Sequence, residues 1–159
     1  MRLTHYTDYA LRVLMYVGLK DQTRTELATI TEIAGAYGIS RNHLVKIVHD
    51  LGGRGYLYTL RGKHGGIRLA KPAAEINIGT LVRELEEDMR LVECFGDTTV
   101  NGCCIAPACV LRNVLHGALE AFLHELDRFT LADLLLPGCQ LSGLLALPPA
   151  ARSAVDSEL

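Results

Sequence analysis

Cys94, Cys103 and Cys109 are the residues of this 159-residue chain whose type and spacing best suit chemistry. They stand in a Gly-containing stretch ahead of a long apolar-periodic segment, separated by eight and then five residues. This is not the paired C-x-x-C spacing of zinc ribbons or thioredoxin-like redox sites. Loose spacing suits a larger cofactor, because an iron–sulfur cube needs thiolates converging from several directions. A thiol–disulfide switch is the rival chemistry and needs no metal. Cys104 adjoins Cys103, and neighbouring residues rarely both reach one cluster. Burial as a small hydrophobe is the plainest reading of a cysteine, and it fits Cys139 in its separate Leu-rich segment after Pro137. It does not fit the other three, because residues 95–101 carry no core periodicity.

Free thiols need a reducing compartment. Met1 leads into Arg2-Leu3-Thr4-His5-Tyr6 with no apolar leader, and no apolar run approaches the roughly 18 residues that span a bilayer. The expectation is a cytoplasmic chain with no membrane partner. Hydrophobic residues make up 49%, too many for a disordered chain and enough to leave apolar surface for a second subunit. No nucleotide-binding Gly motif and no Ser/His/Asp or Cys/His arrangement is present, so no enzyme is expected.

The elements around the thiols point to nucleic acid. The net charge of −2 hides an asymmetry: residues 40–71 hold seven basic side chains against one acid, and residues 72–159 hold thirteen acids against five bases. Phosphate attraction is local, so a basic patch binds DNA inside an acidic protein. Residues 4–20 have helical spacing in Tyr6, Ala10, Val13, Leu14 and Val17. Thr29-Ile30-Thr31-Glu32 has the form of a capping box opening a short helix to Tyr37, and Gly38 supplies a turn. Ser40 reads as the N-cap of the next helix, whose Leu44, Ile47, Val48 and Leu51 form one stripe. Its outer face carries Arg41, Asn42, His43 and Lys46, the layout a recognition helix needs. Gly52-Gly53-Arg54-Gly55 ends it. Residues 56–60 then alternate like a strand, and Ile67-Arg68-Leu69 forms a return strand. The turn between them presents Arg61, Lys63 and His64 as a basic wing.

Three stretches carry a resemblance. Leu3-Thr4-His5-Tyr6-Thr7-Asp8-Tyr9-Ala10-Leu11-Arg12, the Gly65-Gly66-Ile67-Arg68-Leu69-Ala70 wing and the three cysteines together resemble the iron–sulfur winged-helix regulators of the IscR and NsrR type. The likeness runs from Met1 to about residue 135 and is greatest to the nitric-oxide-sensing NsrR branch, whose C-x-x-x-P-x-C loop matches Cys103-Cys104-Ile105-Ala106-Pro107-Ala108-Cys109. That alignment selects Cys103 over Cys104. The resemblance implies a homodimer, a palindromic double-stranded DNA operator and nitric oxide as effector. It also implies an iron–sulfur cluster, 4Fe-4S with 2Fe-2S as the other form, held by Cys94, Cys103 and Cys109. Asp8 of the other subunit matches the family's fourth ligand, while an i,i+4 pair with Arg12 is its plainer role. The chain departs from the family in three ways. Its first cysteine gap is long, Cys104 is additional, and Arg112 stands where IscR-type members place a His. His116 is the nearest substitute.

From Cys109 onward Val110, Val114, Leu115, Ala118, Ala121, Phe122, Leu126 and Phe129 recur over about five turns, the pattern of a dimerisation helix. Thr130-Leu131-Ala132-Asp133 opens a short closing helix. The expected fold is mainly α with a small β-wing, a winged helix-turn-helix joined to a long dimerisation helix. Residues 1–76 would form the DNA-binding domain and 77–136 the cluster loop and dimer arm. Residues 137–159 would form a tail with a frayed end. The expected function is a repressor whose operator affinity a cluster controls. The alternative is a regulator of iron–sulfur status or oxidants through the same cysteines.

Overall fold

The computed structural model describes residues 2–23, 27–62, 65–96 and 103–147. Helix α1 (His5–Thr23) begins where the Thr4 hydroxyl accepts from the Thr7 N–H at 3.2 Å, the side-chain capping that spares an orphan donor. Ala10, Val13, Leu14 and Val17 line one face of it and are fully buried. α2 (Ile30–Tyr37) opens with a complete capping box between Thr29 and Glu32, and Gly38 closes it at φ 65°, a left-handed backbone that favours glycine. α3 (Arg41–Gly53) follows after the short turn and buries Leu44, Ile47, Val48 and Leu51. The helix-turn-helix read from the sequence is therefore present.

β1 (Leu57–Leu60) and β2 (Gly66–Leu69) pair antiparallel, Leu57 opposite Leu69 and Leu60 opposite Gly66. The expected alternation along β1 is absent: Leu57 is buried and the next three residues are exposed. A two-stranded ribbon has no second layer beyond its base, so among its described residues Tyr56, Leu57 and Ile67 are buried in the core and Leu69 packs partly against it. Ala28 adds a bridge to Ile67 and roots the wing.

The sequence reading did not anticipate α4 (Ile78–Leu85), which buries Ile78, Leu81, Val82 and Leu85 and is capped by the Asn77 side chain, 2.9 Å from the Thr80 N–H. α5 (Val110–Asp127) buries only Leu119 and Leu123, on the side that packs against α4. The far end of α5 is pinned to α4: Arg83 grips Asp127 with two bonds of 2.5 and 2.7 Å, and the Asn77 amide donates to the Asp127 carbonyl at 2.7 Å. α6 (Leu131–Leu134) has its own capping box, Thr130 with Asp133, and lies against α1. There Gly18 makes room, since a Cβ would stand 2.6 Å from a Leu135 methyl. The segment after Pro137 begins with a short helix, α7 (Gly138–Leu144). One buried cluster joins α1, α3 and the wing to α4, α5 and α6.

Candidate metal centre and nucleic-acid interface

Cys94 sits half-buried in a single 3-10 turn, Glu93–Phe95. Cys103 is exposed, and its carbonyl accepts from the Ala106 N–H at 3.0 Å. Pro107 lies inside a second 3-10 turn, Ala106–Ala108, which delivers the chain to α5. Cys109 takes the N-cap position of α5 and is half-buried, with no capping hydrogen bond to its side chain. All five cysteines are free. Cys104 is exposed, and so is Cys139, contrary to the buried role expected for it. α7 turns Ser142 inward and leaves Cys139 on its outer side.

Among the described residues, no three His, Cys, Asp or Glu side chains converge on one point. Residues 97–102, which join Cys94 to Cys103, lie outside those described. The donors themselves fit an iron–sulfur cluster: soft thiols, unpaired and reachable, one at a helix N-terminus. A cleft of about 400 Å³ reaches Phe95, the neighbour of Cys94, and is lined also by Met89, Arg90, Arg112, Asn113 and His116. In it the Phe95 ring meets His116 edge-on at 5.9 Å. Asp8, in the first turn of α1, forms the expected pair with Arg12 at 3.0 Å, and both side chains are about two-fifths exposed (42% and 44%). Its carboxylate is accessible to a neighbouring molecule.

The outer face of α3 presents Arg41, Asn42, His43 and Lys46, all exposed. Ser40 holds the N-cap position, yet its side chain makes no capping bond, so its hydroxyl faces solvent. Val45, 51% exposed between them, suits the methyl group of a thymine. Arg61 stands exposed at the wing, while Lys63 and His64 lie outside the described residues. Two of the basic residues counted in the sequence are engaged by neighbours in the chain: Arg54 grips Asp50, and Lys71 lies 4.2 Å over the Tyr56 ring. Sequence reasoning missed His5 and Tyr9. They line an aromatic, basic cleft of about 250 Å³ between α1 and α3, with Tyr9 stacked on His5 at 5.8 Å and tilted against His43 at 6.4 Å. The His5/Tyr9 spacing, one helical turn, was the available signal.

Behind this surface runs a chain of polar contacts. The Tyr6 hydroxyl donates to Asp50 at 2.8 Å, the Arg54 guanidinium donates to Asp50 at 3.0 Å and to the Glu84 carbonyl at 3.0 Å, and the Tyr56 hydroxyl donates to the Glu84 carboxylate at 2.9 Å. Burial, and then the carboxylate acceptors, push both Tyr6 and Tyr56 up to about 12. Burial alone would raise Asp50 as well, but the Tyr6 and Arg54 donors outweigh it and hold the carboxyl below its ordinary value.

The chain matches the Rrf2 family model, described as iron-dependent transcriptional regulators, over residues 3–137. It belongs to the Rrf2 family. Among curated Rrf2 relatives, it is 54% identical over 145 residues to the HTH-type transcriptional regulator NsrR of Geobacillus kaustophilus, covering 91% of this chain and 97% of that one. It is 50% identical over 134 residues to the NsrR of Bacillus subtilis, covering 84% and 90%. Among solved structures, T. potens IscR superposes with a TM-score of 0.68 at 20% identity, over 89% of this chain and 90% of that one. CymR of B. subtilis gives 0.63 at 20%, over 84% and 95%. These likenesses establish an Rrf2 winged-helix fold and a DNA-binding transcription regulator rather than an enzyme. No helix among the described residues is long and apolar enough to cross a membrane.

Proposed function

We propose that this Rrf2 protein is a cytoplasmic, homodimeric repressor whose operator affinity depends on an iron–sulfur cluster of 4Fe-4S type and falls when nitric oxide attacks it. The observation that carries the reading is that Cys94, Cys103 and Cys109 are all free thiols, with Cys109 at the N-cap of α5. In this reading residues 1–76 read DNA, 77–136 hold the cluster and the dimer, and 137–159 close the chain. The cluster, when bound, supplies iron with which the gas reacts. Three thiolates hold it, and Asp8 from the other subunit is the hard, weakly held fourth donor. In this chain the Asp8 carboxylate is paired with the Arg12 guanidinium 3.0 Å away.

The homodimer draws support from α5. Val110, Leu111 and Val114 are 73%, 62% and 60% exposed on the face turned away from Leu119 and Leu123. An apolar strip of this size on a small protein is an interface awaiting its partner. On the DNA side, Ser40, Arg41, Asn42, His43 and Lys46 enter the major groove, and Arg61, Lys63 and His64 of the wing meet the phosphates or the neighbouring groove. A twofold dimer reads a palindrome whose half-sites lie about 34 Å apart.

The exposed, adjacent Cys103 and Cys104 favour a second reading, a metal-free thiol switch that responds to oxidants. One experiment separates the two. Protein purified without oxygen should be coloured, contain iron and retard operator DNA in a gel, and nitric oxide should abolish the retardation. A colourless, iron-free preparation that binds DNA and responds to oxidant would leave the thiol switch standing alone.

A further inference from the structure

Glu86 is the residue after α4, and it is 8% exposed with no basic partner among the described residues. Its carboxylate accepts from both the N–H and the hydroxyl of Thr4, at 2.8 and 3.0 Å. Thr4 opens α1, so a carboxylate from the end of α4 completes the N-terminus of α1, where negative charge is favourable. Four residues further along α1 stands Asp8. Two residues before Glu86, Glu84 takes Arg54 on its carbonyl and Tyr56 on its carboxylate, and Arg54 passes through Asp50 to Tyr6. The last turn of α4 therefore touches the helix that bears Asp8 and the far end of the recognition helix. The same turn leads directly into residues 87–96, which carry Cys94.

We infer that Glu84 and Glu86 are positioning residues that couple the cysteine segment to DNA reading: Glu86 sets the first turn of α1, and with it Asp8, while Glu84, through Arg54 and Asp50, sets the end of α3. The inference rests on the cluster-dependent reading above. Displacement of the chain after residue 86 pulls on Thr4 and on Arg54 together, because both are bound to one short turn. A buried carboxylate that accepts two donors does not shift freely, since each lost bond leaves a polar group without water. The state of the cysteine segment thereby reaches the recognition helix through two short hydrogen-bonded routes inside one subunit.

The test compares the parent with Glu86→Ala, Glu86→Gln and Tyr6→Phe, each prepared without oxygen. Three quantities are measured: the visible spectrum with iron content, operator affinity with cluster, and operator affinity after cluster removal. The parent ratio of the two affinities defines the coupling. Glu86→Ala and Tyr6→Phe should keep the three-thiolate cluster and its colour while the ratio falls by about tenfold toward one. Glu86→Gln keeps an acceptor for Thr4 and should recover most of the ratio, a rescue that loss of stability alone would not give. Tyr6→Phe removes the hydroxyl that ties Asp50, at the end of α3, to α1, so it decides the matter if Glu86→Ala does not fold. The parental ratio in Tyr6→Phe and in any folded Glu86→Ala overturns the inference. A parent whose affinity is indifferent to cluster removal overturns the sensor reading instead, and the inference falls with it.

Discussion

At the scale of single residues, the thiols divide by position. Cys109 is held at a helix N-terminus and Cys94 in a tight turn, whereas Cys104 and Cys139 point into solvent. Alanine at Cys94, Cys103 or Cys109 should each abolish iron binding, while Cys104→Ala and Cys139→Ala should leave the visible spectrum near that of the parent. Loss of colour in Cys104→Ala with retention in Cys103→Ala would move the middle ligand by one residue. A second expectation concerns the phenols. Tyr6 and Tyr56 ionise at about 12 in the folded chain against an ordinary 10.0. A group whose folded value is raised contributes stability in full below its unfolded value and loses it as pH climbs through the folded one. Stability should therefore decline between pH 10 and about 12 beyond what the exposed tyrosines explain. Tyr6→Phe should remove part of that decline in an alkaline unfolding series followed by circular dichroism, and an unchanged slope would count against the Tyr6–Asp50 bond.

At the scale of elements, α5 carries two apolar faces, and among the described residues only one is covered. Val114→Glu sets a charge in the middle of the open face, where Val114 is 60% exposed in the isolated chain. Sedimentation should find the parent dimeric and the variant weakened by about tenfold or more in self-association, with the helical content of both alike. An unimpaired dimer would place the interface elsewhere. This helix also marks where sequence reasoning stops. Its 3.6-residue period announced an amphipathic helix, and the residues picked out were Val110, Val114, Ala118 and their neighbours. Leu119 and Leu123, which pack into the chain's own core, went unremarked. Periodicity reports that a face is apolar and is silent on whether it meets the same subunit or another. The helix-turn-helix was legible because its caps are local: Thr29 with Glu32, and Gly38. α4 was equally local, with Asn77 as cap and Ile78, Leu81, Val82 and Leu85 in register, but eight residues are short for a pattern to stand out. The Thr4–Glu86 bond spans 82 positions, and no pattern of spacing signals a pair so distant.

At the scale of the whole molecule, charge is segregated, but less simply than a count suggests, because Arg54 and Lys71 are engaged within the fold. In the proposed reading the DNA-facing cations are those of the first turns of α3 and of the wing. Lys46 of α3 lines the aromatic cleft in which Tyr9, the neighbour of Asp8, leans on His43. In that reading one helix bears both a donor for the cofactor and a wall of the DNA surface. Two ligands that bias the same element must answer to each other: the factor by which cluster tightens operator binding is the factor by which operator tightens cluster retention. Saturating operator DNA should slow the loss of visible absorbance to an iron chelator, and DNA of equal length without the site should not. Equal loss with either DNA would mean that the two ligands do not communicate. Each occupied site on a chromosome then acts as a shelter for the cofactor it depends on. Strong sites shelter it longest. A rising dose of nitric oxide would empty the weak operators before the strong ones, so that a single protein releases its genes in sequence, in an order written in the DNA.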